Sequence, residues 1–257
     1  MDITSSDIVD FASDAERVSF LGLEFDPLDT EGTVQEIMVR ADRACDLTYL
    51  VTPNVDHMVR LEAEPELRPL YTSAGILVCD SRILEVFAKF EGKRLPAAPG
   101  ADIVEDLIRN RIGPDEKIVV IGGDDGIIES LSRDYGIAHI AWHAPPMGLR
   151  KNPAAVRDAA EFLVEENERF AFLCVGSPQQ EMIASEAVRL GGGKGVALCC
   201  GASLEFLAGR IERAPKWMRD ARLEWLHRLI SEPKRMWKRY LVDGPRILAI
   251  WRRYRAN

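Results

Sequence analysis

The sequence predicts a doubly wound, Rossmann-like α/β body with a mainly parallel sheet, followed by a basic helical appendage at the C-terminus. Two observations predict the body: short apolar runs that read as strands, and amphipathic segments of helical period that alternate with them. A third predicts the appendage, because the charge balance inverts near Gly209. Residues 210–257 carry 14 basic and 5 acidic side chains, a net of +9, against −17 for residues 1–209. Trp217, Trp225, Trp237 and Trp251, four of the five tryptophans, lie in the same tail.

Each element follows from its local pattern. Residues 1–16 are polar and predict a loose terminus. RVSFLGLEFDPLD reads as a short strand pair and TVQEIMVRADRA as an amphipathic helix. Strand-like runs follow in LTYLVTPN, GILVCD, KIVVIGG, AHIAWHA, RFAFLCVG and KGVALCC. Helical runs cover 55–72, 81–91, 101–111, 126–135, 153–168, 179–190 and 203–209. Short apolar strands separated by helices indicate a sheet covered on both faces, here over residues 17–209. In the tail, Trp225, Leu226, Leu229 and Ile230 share one helical face. Met236, Trp237, Tyr240 and Leu241 repeat it after Pro233, which opens a second helix. Arg228, Arg235, Lys238 and Arg239 supply a cationic side. The pattern fits a helix at a lipid interface, and equally one whose apolar face packs on the body.

Composition narrows the class. A hydrophobic content of 47% with 29% charged residues is that of a folded soluble protein. The chain contains no run of eighteen apolar residues, and its acidic N-terminus does not read as a secretory signal. Five cysteines is an odd number, and Cys79, Cys174, Cys199 and Cys200 sit in apolar runs without metal-ligand spacing. They are expected as reduced core thiols of a cytoplasmic protein. A net charge of −8 argues against a nucleic-acid partner. The four histidines, His57, His139, His143 and His227, show no ligand spacing.

A doubly wound sheet holds its ligand outside the carboxyl ends of its strands. That edge is expected to carry Thr52-Pro53-Asn54, Asp80, Gly122-Gly123, the turn ending at Gly148, Gly176 to Gln180, and Gly201 to Glu205. Asp80, a carboxylate at a strand tip, suits a general base; it also suits the cap of a helix beginning at Ser81. Thr52 and Asn54 are short polar side chains aimed by Pro53, and Asn54 is equally a helix cap. Gly122 and Gly123 allow close approach of a diphosphate, and the following helix is expected to offer free N–H groups. Gly148, Gly176 and Ser177 are further candidates for nucleotide contact. GGDDG is not the dinucleotide fingerprint, so an NAD- or S-adenosylmethionine-dependent enzyme is disfavoured, and Asp124-Asp125 reads as a solvated turn.

Six ordered segments together resemble the WecG/TagA/CpsF family of glycosyltransferases. They are TPNVDHM, CDS, VIGG, VGSPQQE, CGASLEFLAGRIERAPKWMRDARLEWLHRL and EPKRMWKRYL, and the resemblance covers residues 17–250. It implies a UDP-sugar donor, a polyprenyl-diphosphate-linked saccharide acceptor and a product in bacterial surface-polymer or exopolysaccharide synthesis. It implies Asp80 as general base and Thr52, Asn54 and Gln180 in the donor and acceptor pocket. Glu205 would meet the nucleotide ribose, and Arg228, Arg235 and Lys238 the lipid diphosphate at the membrane. No metal and no cofactor are implied. One departure is clear: the family's LP-x-R-V-x-G-x-D is here KRLPAAPGAD, one residue shorter, with alanines in place of the Arg. Either Lys93 or Arg94 would take the place of that cation, or the donor sugar differs. Arg82, following Asp80-Ser81, would approach an anionic sugar such as a uronic acid.

These readings converge on an inverting, metal-independent transferase, cytoplasmic and peripheral on the inner face of the bacterial membrane. Its anionic partner surface would be met by the tail, whose tryptophans also allow homo-oligomers to form without membrane. The competing expectation is a non-catalytic module that binds nucleotide-sugar or lipid head-group on the same fold.

Overall fold

The structure is a computed structural model and describes residues 16–43, 46–210, 218 and 244–256. The expectations for residues 1–15, and those for Trp217, Trp225, Trp237, Arg228, Arg235 and Lys238, lie outside the described residues.

The strand pair at the start is an antiparallel hairpin of β1 (Val18–Phe20) and β2 (Leu23–Phe25). Helix α1 (Thr30–Asp42) follows, capped by Asp29, whose side chain accepts from the Gly32 amide at 2.9 Å. Alternation then begins: β3 (Thr48–Val51), α2 (Val55–Ala63), α3 (Pro69–Thr72), β4 (Ile76–Leu77), α4 (Arg82–Phe90) and α5 (Gly100–Asp106). It continues with β5 (Lys117–Gly122), α6 (Asp125–Tyr135), β6 (His139–His143), α7 (Pro153–Glu166), β7 (Phe170–Cys174), α8 (Gln179–Leu190), β8 (Val196–Cys199) and α9 (Ser203–Leu207). A last helix, α10, spans Gly244–Ala256.

Three expected elements are altered for local reasons. The helix expected over 55–72 is broken after Ala63, where Glu64 leaves helical geometry ahead of Pro65 and Pro69 starts α3. The run 101–111 is α-helical only to Asp106, and Leu107–Arg111 closes in a wider π turn. GILVCD contributes only two paired residues; beyond them Cys79 makes an isolated parallel bridge to Ala97.

Six strands form one sheet in the order β4-β3-β8-β7-β5-β6, and every neighbouring pair is parallel. Its apolar residues split by parity. Tyr49, Val51, Val119, Ile121, Ala171, Leu173, Ala197 and Cys199 join the core on one face with α2, α7 and α8. Leu50, Ile118, Val120, Phe170, Phe172, Val196 and Leu198 join the core on the other with α1, α5 and α6. Two buried faces explain why the strands read as continuous apolar runs. From β5 the chain crosses through α6 to β6, and from β7 it crosses through α8 to β8 on the opposite side. The loops after β5 and β7 therefore part company, which makes their junction a switch point of the sheet.

Helix α10 packs back on the body. Ile247 and Ile250 are buried, and Trp251 stacks on Phe87 at 4.8 Å while donating from Nε1 to Glu91 at 2.8 Å. Arg68 donates to the Tyr254 hydroxyl at 2.6 Å, and Arg253 pairs with Glu62. Trp251 thus spends much of its surface on the body. Among the described residues, no helix is long and apolar enough to cross a membrane.

Gly195, at the entry to β8, is a sensitive point of the sheet. Its φ is +83°, and a Cβ there would lie 2.4 Å from the Glu168 carbonyl oxygen and 2.5 Å from that of Arg169. Gly195→Ala is therefore expected to destabilise the fold by more than ~1 kcal/mol in urea melts, because both the backbone and the neighbouring chain must give way.

Candidate active site

Asp80 is held by its backbone at the carboxyl edge. Past the last paired residues of β3 and β4, the Val78 amide donates to Val51 O at 3.2 Å and the Asp80 amide to Pro53 O at 2.9 Å. From the other side, the Ala98 amide donates to Cys79 O at 2.7 Å. The Thr52-Pro53-Asn54 turn, Asp80 and the Ala97-Ala98 segment therefore lie side by side. Ser81 caps α4, its Oγ accepting from the Leu84 amide at 3.3 Å. The reading of Asp80 as that cap is overturned: the helix starts at Arg82, one residue later than a cap at Asp80 requires.

Thr52 is buried at the foot of the same edge, and α5 begins directly against it: a Cβ on Gly100 would lie 2.9 Å from Thr52 Oγ1. Asn54 caps α2, its Oδ1 accepting from the Asp56 amide at 3.0 Å and the His57 amide at 3.4 Å. His57 Nδ1 closes the box, 3.2 Å from the Asn54 amide nitrogen and 2.8 Å from its Oδ1. Because α2 starts at Val55, His57 is the third residue of that helix. Its other nitrogen, Nε2, is 3.9 Å from Glu181 Oε1.

Gln180 is buried near the start of α8, not a surface cap. Its Oε1 accepts from the Gly201 amide at 2.9 Å and its Nε2 donates to Glu181 Oε1 at 3.1 Å. One carboxylate oxygen thus faces both Gln180 and His57, and through His57 it reaches Asn54. Of the two residues expected in the pocket, Gln180 bonds the buried acid directly, and Asn54 is linked to its surroundings only through His57. Beside it, Arg60 donates to Ser177 Oγ at 2.8 Å and the Tyr71 hydroxyl lies 3.2 Å from the same oxygen. Burial pushes the Glu181 carboxyl up, with the Arg60 charge working against that rise. Glu181, Arg60 and Tyr71 were missed in the sequence. The acid next to Gln180 in VGSPQQE was the available sign, but nothing in the string says that it points inward.

The switch point carries the glycines. Gly122 has φ +91°, and a Cβ there would meet Val175 Cγ1 at 2.7 Å and the Cys174 carbonyl carbon at 3.0 Å. Only glycine lets β5 and β7 approach so closely. Gly123 and Gly148 are exposed, and Gly176 has open space beside its Cα. Ser177 turns its hydroxyl to Arg60 and Tyr71. Two of the N–H groups expected to be free at α6 are capped: Asp124 Oδ1 accepts from the Gly126 and Ile127 amides at 3.1 and 3.3 Å, and its other oxygen pairs with Arg210. Glu205 is half-buried on α9.

The cations near Asp80 divide. Lys93 bridges to Glu91 at 2.8 Å and lies 5.9 Å from the centre of the Phe20 ring, which draws it toward the hairpin. Arg82 pairs with Glu85 at 3.1 Å on the surface, and Arg94 is exposed. Ala97 and Ala98 are buried. Cys79 and Cys199 are core thiols as expected, but Cys174 and Cys200 are only half-buried at the strand ends, with their sulfurs 3.3 Å apart. The Cys200 thiol and burial both hold the Cys174 thiol up. Among the described residues, no group of three or more His, Cys, Asp and Glu side chains is arranged to hold a metal ion.

Two outcomes follow. Ser81→Ala should cost ~1 kcal/mol of stability in chemical denaturation, as loss of a helix cap does. For Glu181 the sign is set by its raised carboxyl: the unfolded chain gives up that proton first, so folding is penalised as pH rises from about 4.5 toward the folded value. Glu181→Gln should therefore gain stability relative to the parent between pH 5 and pH 8. Parallel melting curves across that range would contradict the assignment.

Residues 18–257 match the family described as Glycosyl transferase WecG/TagA/CpsF family, nearly the whole chain. The match takes in every strand of the sheet, the Asp80 edge and the Gln180–Glu181 pair. The chain belongs to the WecG/TagA/CpsF family and is a glycosyltransferase of surface-polysaccharide biosynthesis.

Proposed function

We propose that the protein moves a sugar from a UDP-sugar to a polyprenyl-diphosphate-linked saccharide, with inversion and without a metal ion, at the inner face of the bacterial cytoplasmic membrane. The observation that carries this reading is the placement of Asp80, pinned by its amide to Pro53 at the ligand edge while Ser81 takes the capping role. Asp80 accepts the proton of the acceptor hydroxyl as that oxygen bonds to the anomeric carbon. The bond from that carbon to the diphosphate breaks at the same time, and UDP leaves with the electron pair. A single base and attack opposite the leaving group invert the anomeric centre. Asn54 and Gln180 orient the sugars; before substrate arrives the α2 cap holds the Asn54 side chain in one rotamer, and the bonds to Glu181 and Gly201 hold that of Gln180. Gly122, Gly123 and Gly176 approach the diphosphate, and Glu205 meets the ribose.

The donor is a hexose, an N-acetylhexosamine or a hexuronic acid. The loss of the family's Arg at Ala97-Ala98 leaves the surface cations Arg82 and Arg94 on the segments flanking Asp80, and these favour an anionic donor. The tail cations Arg228, Arg235 and Lys238 meet the acceptor's diphosphate, each contributing about 1 kcal/mol near an anionic surface.

Transfer from a panel of radiolabelled UDP-sugars to a lipid-diphosphate monosaccharide, in buffer containing EDTA, tests the reading. Asp80→Asn should lower kcat by roughly 10²–10⁴-fold, the range of a lost general base, with donor KM little changed. UDP binding without transfer by the parent protein would instead identify a non-catalytic binding module. A clear preference for neutral hexoses would remove Arg82 from the donor site.

A further inference from the structure

Helix α4 is apolar on two faces. Leu84 and Ala88 are buried in the core. Ile83, Val86, Phe87 and Phe90 recur at the i, i+3, i+4, i+7 spacing of a second stripe. Phe87 is covered by Trp251 of α10, but Ile83, Val86 and Phe90 are 43%, 37% and 68% exposed. A contiguous apolar stripe left open on a folded body marks a surface that meets a partner.

The neighbours of the stripe say which partner. Helix α10 carries Arg246, Arg252, Arg253 and Arg255 and no acidic residue. Arg255 lies over the Trp251 ring at 5.6 Å, and that ring is 4.8 Å from Phe87 and 6.3 Å from Phe90. Guanidinium, indole and phenyl groups therefore form one continuous surface, with Lys89 exposed on the same helix as the stripe. Aromatic and aliphatic side chains beside long cations match the boundary between acyl chains and anionic head-groups. A second copy of the chain fits poorly, because a two-fold contact through this face would bring two acid-free arginine helices together.

We infer that the α4 stripe of Ile83, Val86 and Phe90, flanked through Trp251 by Arg255 of α10, is a docking face for an anionic lipid surface. Its purpose rests on the proposed transfer to a lipid-linked acceptor. The stripe begins at Ile83, within one helical turn of Asp80, so docking there sets the base close to the plane in which a polyprenyl acceptor lies. This places a membrane contact on the body, in addition to any made by the tail.

The test uses the full chain and an Ile83→Asp/Phe90→Asp variant. Sedimentation is measured with vesicles of phosphatidylcholine containing phosphatidylglycerol, and with phosphatidylcholine alone. The parent should bind the anionic vesicles, and the variant should bind them at least tenfold more weakly. Both should transfer equally to a water-soluble short-chain acceptor, while the variant loses transfer to a long-chain acceptor in vesicles. Should the double variant not fold, as judged by circular dichroism, Phe90→Gln is read the same way. Equal vesicle binding by parent and variant, or none by the parent, overturns the inference. So does a parent dimer that the substitution converts to monomer with vesicle binding intact. If neither protein transfers to either acceptor, the transferase reading falls, and the vesicle comparison still decides the docking face by itself.

Discussion

The site depends on how two strand ends are joined. The hydrogen bond from the Asp80 amide to the Pro53 carbonyl continues the parallel register of β3 and β4 beyond their last paired residues. Without it, Asp80 would belong to a loop able to turn either way, since β4 contributes only two residues to the sheet. With it, and with the Ala98 amide on Cys79 O from the other side, the backbone that carries Asp80 is hydrogen-bonded on both sides. Ser81 completes the arrangement. By capping α4 it satisfies a helix amide that would otherwise compete for the acid next door.

A second constraint is the buried acid beneath the pocket. Taking a carboxyl group out of water is costly unless hydrogen-bond partners are supplied. Glu181 is met by Gln180 and approached by His57, and Arg60 lies near enough to oppose the effect of burial on its proton. The arrangement couples the turn after β3 to the turn after β8, because Gln180 also holds the Gly201 amide. The bonds of Gln180 to Glu181 and to Gly201 hold its side chain in one rotamer, while the second carboxylate oxygen of Glu181, Oε2, is buried without a hydrogen-bond partner among the described residues. The half-buried pair Cys174 and Cys200 sits at the next strand ends and shows how little room remains between β7 and β8.

Helix α4 links chemistry to surroundings. Its first turn follows Asp80, its inner face fills the core, and its outer face joins Trp251 and the arginines of α10. An element apolar on opposite sides gains nothing from the second face within the body alone. The proposed lipid contact gives that face a role and orients Asp80 relative to the acceptor.

Most of the fold was legible in the string of residues. Runs such as KIVVIGG and RFAFLCVG carry the continuous apolar signature of strands buried on both faces, and the intervening amphipathic segments could only cover them. Breaks at Pro65 and Pro69 were legible in principle, since proline lacks an amide, yet the apolar period across 55–72 concealed them. That Asp80, Thr52, Asn54 and Gln180 follow strand ends was legible from strand boundaries, because a parallel sheet exposes its carboxyl ends, whereas the roles expected of them came from the family resemblance. What only the tertiary structure decided depends on contacts between distant segments. The caps exchanged between Asp80 and Ser81, and between free amides and Asp124, turn on a single residue of helix start. Lys93 was drawn to Glu91 and Phe20, and Glu181 was turned inward to face His57, by neighbours that no local pattern names. Periodicity fixes which side of an element is apolar; packing alone decides what each polar side chain on it finds to bond.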